Sequence, residues 1–361
     1  MPVPRGSANL DRPPAARPAV TLIGNFLSDS GGSRGVSEEL AGRLRDAGWR
    51  VRTASRERGR FLRLLDMTGA ACRGRDRSEV FHVDVFSGQA FLWAAAVVGI
   101  LRLRRTPYAL TLRGGGLPEF ASRWSGAVRT VLRGARAVTV PSEFLRREMQ
   151  PYRSDLLLLS NPLDIGSYPF RERRHPDPHV VWLRAFDGTY NPTLAPRAFA
   201  DLIRDFPEAT LTMIGPDKGD GSLARTRTQA RDLGLADRIR FVGGIPKTAV
   251  GAHISPFDIF LNTTNVDNAP VTVLEALACG LCVVSTNVGG MPDFVRDGEE
   301  ALLVPPDDPG AMAAAIRRIL QEPGLAGKLS RNGRAKVEAL DWSAVLPRWE
   351  AILTAGAGAG G

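Results

Sequence analysis

The chain has 361 residues, 43% hydrophobic and 24% charged, with a net charge of +9. That length supports two ordinary domains, each able to bury its own core. The charge is uneven: residues 1–165 hold 26 Arg and no Lys against 15 acidic residues, while the remainder holds 21 basic and 23 acidic. An arginine-rich half suits phosphate-bearing partners or an anionic membrane surface; the plainer alternative is a solvated basic surface. No reading helix or aromatic-interleaved basic sheet is recognisable, which argues against nucleic acid. The three cysteines, Cys72, Cys279 and Cys282, are odd in number and form no metal clip, so a reduced, cytoplasmic compartment is expected. The longest apolar run, Ala90–Leu101, has 12 residues and is too short to span a bilayer.

Along the chain, residues 1–18 are rich in Pro and Arg, show no secretory core, and are expected to be disordered. Residues 19–165 then alternate strand and helix. The first strand, Val20–Phe26, feeds a glycine-rich turn with Gly31, Gly32, Ser33 and Arg34, and a helix follows with Val36, Leu40 and Leu44 on one face. Further strands are expected at Val51–Ser55, Val80–Phe86, Tyr108–Arg113, Ala137–Pro141 and Leu156–Ser160. Polar, Pro-containing residues 166–178 read as an interdomain linker. A second alternation fills residues 179–340, with strands at Val180–Leu183, Thr210–Ile214, Ile239–Val242, Ile259–Asn262, Val283–Thr286 and Leu302–Val304. A last helix is expected at residues 341–354, and residues 355–361 are expected to be a second disordered tail. The fold class is therefore α/β, with two Rossmann-like domains whose strand ends carry the ligands.

The richest segment is Asp267 to Gly280. An acidic residue is followed by Pro270 where a first helical turn begins, then by a second carboxylate, Glu275, within an apolar helical run. Gly280 stops that helix, and Leu281–Thr286 reads as a fully buried strand. The N-terminus of such a helix attracts phosphate oxygens, and a carboxylate further in can hold a hydroxyl pair such as a ribose edge. The same pattern also suits an ordinary helix of an α/β domain. Cys279 and Cys282 straddle the helix end and the strand and read as small core residues, not a redox pair.

Two acids with seven residues between them, the apolar helix, Gly280, the strand, Gly289-Gly290-Met291-Pro292 and Leu302–Pro306 resemble the retaining nucleotide-sugar glycosyltransferases of the GT-B fold, family four in particular. The resemblance is specific from about Val180 to Pro306 and weaker elsewhere. It implies two Rossmann-like domains facing a cleft, the N-terminal one receiving the acceptor and regaining the last helix. It places a diphosphate-binding, catalytic role on Arg184, a position near the donor sugar on Asp267, where the family usually has Glu, and the ribose contact on Glu275. Ile245 falls where the family positions its base, and the backbone of Ala269, Pro270 and Val271 falls near the phosphates. The family's Lys after the Arg is missing; Tyr190-Asn191-Pro192 stands there, so Asn191, at the N-cap of the next helix, and Lys218 are the candidate replacements.

On the acceptor side the resemblance points to the Gly31-Gly32-Ser33-Arg34 turn and to Arg113-Gly114, where the family usually has His before Gly. Arginine cannot act as a base at neutral pH, so Arg113 is expected to bind phosphate or an acceptor oxygen. His82, in an otherwise apolar strand, is either a site residue or a satisfied core histidine. No Asp-x-Asp motif sits where it would bind a diphosphate through a metal, and no cofactor is expected. The implied function is retaining, metal-independent transfer of a sugar from UDP or GDP to a hydroxyl of a glycan, glycolipid or secondary metabolite, in the cytoplasm or at the inner membrane face. The alternatives are a nucleotide-sugar epimerase, for which four histidines supply few ionisable groups, and a GT-B subunit that binds sugar nucleotide without turnover.

Overall fold

A computed structural model describes residue 17 and residues 19–26, 35–57, 59–73 and 79–357. The first sheet contains β1 (Ala19–Ile23), β2 (Arg50–Ala54), β3 (Val80–Val85), β4 (Tyr108–Leu112), β5 (Ala137–Val140) and β6 (Leu156–Leu158), in the order β2-β1-β3-β4-β5-β6. Its helices are α1 (Val36–Asp46), α2 (Arg60–Arg73), α3 (Gln89–Leu103), α4 (Leu117–Arg123), α5 (Ser125–Arg133) and α6 (Glu143–Met149). The strands pair in parallel, so helical crossovers must cover both faces. The central strands are accordingly buried on both sides: all six residues of β3 are enclosed.

The second sheet repeats the plan with β7 (His179–Leu183), β8 (Thr210–Ile214), β9 (Ile239–Val242), β10 (Ile259–Asn262), β11 (Cys282–Thr286) and β12 (Ala301–Val304). Its order is β12-β11-β10-β7-β8-β9 and its pairs are again parallel. Around it lie α7 (Leu194–Leu202), α8 (Ser222–Asp232), α9 (Val250–Ile254), α10 (Val271–Ala278), α11 (Met291–Phe294), α12 (Pro309–Gln321) and α13 (Leu325–Glu338). Trp182, Phe199 and Leu261 are fully enclosed in its core, where each large apolar side chain contributes about 1.5–3 kcal/mol.

The last helix, α14 (Trp342–Ala357), returns to the first sheet. Trp342, Val345, Trp349 and Leu353 bury themselves with Val20, Leu22, Leu40 and Leu44. The two chain crossings run side by side, because Leu163 N–H donates to Leu340 and Trp342 N–H donates back to Leu163, at 3.0 and 3.2 Å. Among the described residues no helix is long and apolar enough to cross a membrane. Cys279 and Cys282 are buried and unpaired, and burial pushes both thiols up to about 12, which leaves them unreactive core residues.

Candidate functional site

Parallel pairing brings the carboxyl ends of all strands of a sheet to one edge. Arg113 follows β4 and its N–H reaches Val85 of β3 at 2.8 Å; Arg184 follows β7 and its N–H reaches Ile214 of β8 at 3.1 Å. Those two edges face each other. Ser142 bonds Asn268, Arg147 grips Asp293 through two bonds of 2.8 Å, and a Cβ on Gly115 would lie 2.9 Å from Val266.

Between the edges lies a cavity of about 340 Å³. The N-terminal domain contributes the start of α1, with Gly35, Val36 and Glu39. The C-terminal domain contributes the strand-end residues Arg184, Gly215 and Lys218, then Ile245 and Lys247 after β9, and Val271, Thr272 and Glu275 of α10. Of the donor-side candidates, Arg184, Lys218, Ile245, Val271 and Glu275 thus share one cavity. Asp267 reaches it through an ion pair with Arg184.

The local sequence explains why these residues converge. The Gly-Gly-x-Pro turn exists because Cβ atoms on Gly289 and Gly290 would lie 1.9 and 2.1 Å from the carbonyl oxygens of Asp267 and Asn268. Only glycine lets that backbone press on the acidic loop, and Gly290 N–H then donates to the Asp267 carbonyl at 2.9 Å. Pro270 is the N-cap of α10, and Gly280 (φ +76°) ends it. Gly215 is required on the opposite wall, where a Cβ would fall 1.6 Å from the Arg184 carbonyl oxygen.

Arg184 lies beneath Tyr190, its guanidinium 4.6 Å from the ring centre. Its Nε is buried with no hydrogen-bond partner among the described residues, and the same holds for the Thr272 hydroxyl. Both residues line the cavity. Burial raises the Asp267 carboxyl above its ordinary range, opposed by Arg184 and by the N–H groups of Asn268 and Ala269. Glu275 is almost fully enclosed, with the Tyr168 hydroxyl donating to its Oε1 at 2.8 Å and Lys247 paired to the same oxygen.

Several expectations need correction. Asn191 does not line the cavity: it adopts a left-handed conformation (φ +43°), and its amide donates to Asn265 and Asp307. It ends a 3-10 turn and does not cap α7, whose N-cap is Thr193. Ala269 and Pro270 lie outside the cavity, in a small apolar seam with Pro141, Asn161 and Phe294. His82 is only 1% exposed, hydrogen-bonded to Thr111 at 2.7 Å and edge-on to Trp349, so it is a core residue and not part of the acceptor side. Arg113 is tied down by Asp84, Asn161 and Ser37, with Gly114 (φ +87°) turning the chain beyond it. Gly31, Gly32, Ser33 and Arg34 lie outside the described residues.

Lys247, Thr272 and Tyr168 were not foreseen as site residues. Lys247 had a signal, being the only basic residue between Arg240 and His253 and two positions past Ile245. Tyr168 had none, because it belongs to the connection between the sheets and meets Glu275 across 107 residues of sequence.

Two facing doubly wound sheets with a cavity at their carboxyl edges define a GT-B protein. The fold matches a sucrose-phosphate synthase from Thermosynechococcus elongatus over 93% of this chain and 98% of that one, with a TM-score of 0.75 and 20% identity. It also matches Anabaena HepE, solved with UDP and glucose, over 94% and 100% of the two chains, with a TM-score of 0.77 and 16% identity. More particularly, residues 169–336 match the family model described as Glycosyl transferases group 1. A D-inositol 3-phosphate glycosyltransferase of Thermomonospora curvata is 26% identical over 286 residues, which cover 73% of this chain and 66% of that protein.

Proposed function

We propose that this protein transfers a sugar, with retention at the anomeric carbon and without a metal, from a UDP- or GDP-linked donor to a hydroxyl of a glycan, glycolipid or secondary-metabolite acceptor. The observation that carries the proposal is the cavity between the domains. It combines Arg184, whose buried Nε has no partner among the described residues, Thr272, whose buried hydroxyl likewise has none among them, the first turn of α10, and an enclosed carboxylate. That set suits a nucleoside diphosphate. Arg184 and the N–H groups at the start of α10 face the diphosphate, and Glu275 takes the ribose hydroxyls. The UDP and glucose held by HepE agree with a donor of this class.

In the proposed step the bond between the anomeric carbon and the β-phosphate oxygen breaks as the acceptor oxygen attacks from the same face. The departing phosphate oxygen takes the acceptor proton, and Arg184 stabilises the negative charge gathering on the diphosphate. The arginine excess of the N-terminal half, with exposed Phe61, Leu62, Leu65 and Leu103, favours an acceptor carried on an anionic membrane surface.

The test is to incubate the protein with UDP- and GDP-sugars, with acceptors in solution or in anionic vesicles, and to assay free nucleoside diphosphate. Release that requires an acceptor, with the sugar recovered on it in retained configuration, is the expected result. No release from any donor, or an epimerised donor, would overturn the proposal.

A further inference from the structure

Lys247 begins the 3-10 turn Lys247–Ala249, between the cavity residue Ile245 and α9. Its side chain is 19% exposed, and it pairs with Glu275, which is 2% exposed. The Tyr168 hydroxyl donates to the same carboxylate oxygen at 2.8 Å. Burial and the adjacent Glu275 carboxylate push that hydroxyl above its ordinary range, so it stays protonated and can only donate to the acid. Oε1 is therefore held from two sides. Oε2 has no partner among the described residues. The carboxylate is fixed in rotation with one oxygen free.

The charge balance of the cavity gives this arrangement its purpose. A nucleoside diphosphate brings negative charge to a space that already contains Glu275 and, behind Arg184, Asp267. An unpaired carboxylate near the α-phosphate would repel it, and a partly enclosed site screens that repulsion poorly. Asn191, at the position of the missing lysine, supplies no charge and turns to Asp307. Arg184, Lys218 and Lys247 are the cations that line the cavity.

We propose that Lys247 is a positioning residue of the donor site: it neutralises Glu275 and, together with Tyr168, aims that carboxylate at the ribose hydroxyls, so that a nucleoside diphosphate binds without repulsion. This rests on the donor reading above. The role of Lys247 is exerted through Glu275, not through direct contact with the reacting atoms.

Calorimetric binding of UDP, GDP, uridine and guanosine to the wild type and to Lys247→Met, Lys247→Arg, Glu275→Gln and the Lys247→Met/Glu275→Gln double variant tests it. Lys247→Met should weaken the preferred diphosphate roughly tenfold and its nucleoside far less, because only the diphosphate meets the uncovered charge. Lys247→Arg should restore binding. In the Glu275→Gln background, which removes the buried charge, the Lys247→Met substitution should have little further effect on diphosphate binding. Should the single methionine variant fail to fold, that last comparison still decides. Equal loss for diphosphate and nucleoside, or a full tenfold loss in the Glu275→Gln background, would overturn the inference while leaving the donor reading intact. Failure of the wild type to bind either diphosphate would overturn the donor reading, and the inference with it.

Discussion

Arg113 and Arg184 occupy equivalent places in the two domains and are used differently. Each follows a central strand, each pairs with an aspartate, and their side chains are 11% and 12% exposed. Arg113 spends its nitrogens on protein: Nε on Asp84 at 3.0 Å, one terminal nitrogen on Asn161 at 3.0 Å, the other on Ser37 at 3.4 Å. Arg184 spends one nitrogen on Asp267 and lies against Tyr190, and its Nε is buried without a partner among the described residues. Exposure and local sequence do not separate the two. The hydrogen-bond inventory does: an arginine whose donors are consumed stabilises a structure, and one with donors unspent beside a cavity is available to a ligand.

The largest expected effect is on the first of the pair. Burial pushes the Asp84 carboxyl up, but Arg113, His82 and Ser37 outweigh it and hold it below its ordinary range. Arg113→Ala would leave that carboxylate enclosed without its cation, a loss of roughly 3–5 kcal/mol. Urea unfolding should show it as a lower midpoint. A variant as stable as wild type would mean that the network is slack and that Arg113 resembles Arg184 after all.

Arg184→Ala should do the reverse, sparing stability and costing turnover by roughly 10²–10³. Asp267 would lose its cation but keep the N–H groups of Asn268 and Ala269. Single-turnover rates at saturating donor read the effect. A large fall in unfolding midpoint with unchanged turnover would exchange the roles assigned to the two arginines.

A smaller effect belongs to the core of the N-terminal domain. Burial lowers His82 to about 4, with Asp84 opposing and Arg113 reinforcing the shift. Between that value and the ordinary 6.5 the unfolded chain binds a proton that the folded chain refuses, so stability is full above about pH 6.5 and falls as pH drops toward 4, by about 3 kcal/mol in all. His82→Gln should flatten that slope in thermal melts taken from pH 7 to 5. An unchanged slope would place the titrating group elsewhere.

The contrast also marks what can be read without coordinates. The strands Thr210–Ile214, Ile239–Val242 and Ile259–Asn262 have the limits that their apolar runs suggest, because runs and turn residues are local signals. β1 ends at Ile23, three residues short of the expected Phe26, although Phe26 is still buried. The motif Asp267–Gly280 and Arg184 were equally legible. Partners were not, since Arg184 meets Asp267 across 83 residues and Lys247 meets Glu275 across 28. Asn191 was misjudged for the same reason, because what decides its direction is Asp307, 116 residues away.

The smallest expected effect is none, and it tests the same division of labour. If the charge opposing the diphosphate comes from Arg184, Lys218 and the start of α10, turnover should be unchanged by EDTA and should gain nothing from Mg²⁺ or Mn²⁺. One group of possible ligands occurs among the described residues, Asp177, His179 and Asp258. It lies at the opposite end of β7 from Arg184, and Asp258 already balances Arg171 and Arg173. Initial rates after dialysis against EDTA, with and without added cation, decide the point. Loss of activity with rescue by a divalent ion would mean that Arg184 shares its task with a metal, and the free donors that distinguish it from Arg113 would need a different explanation.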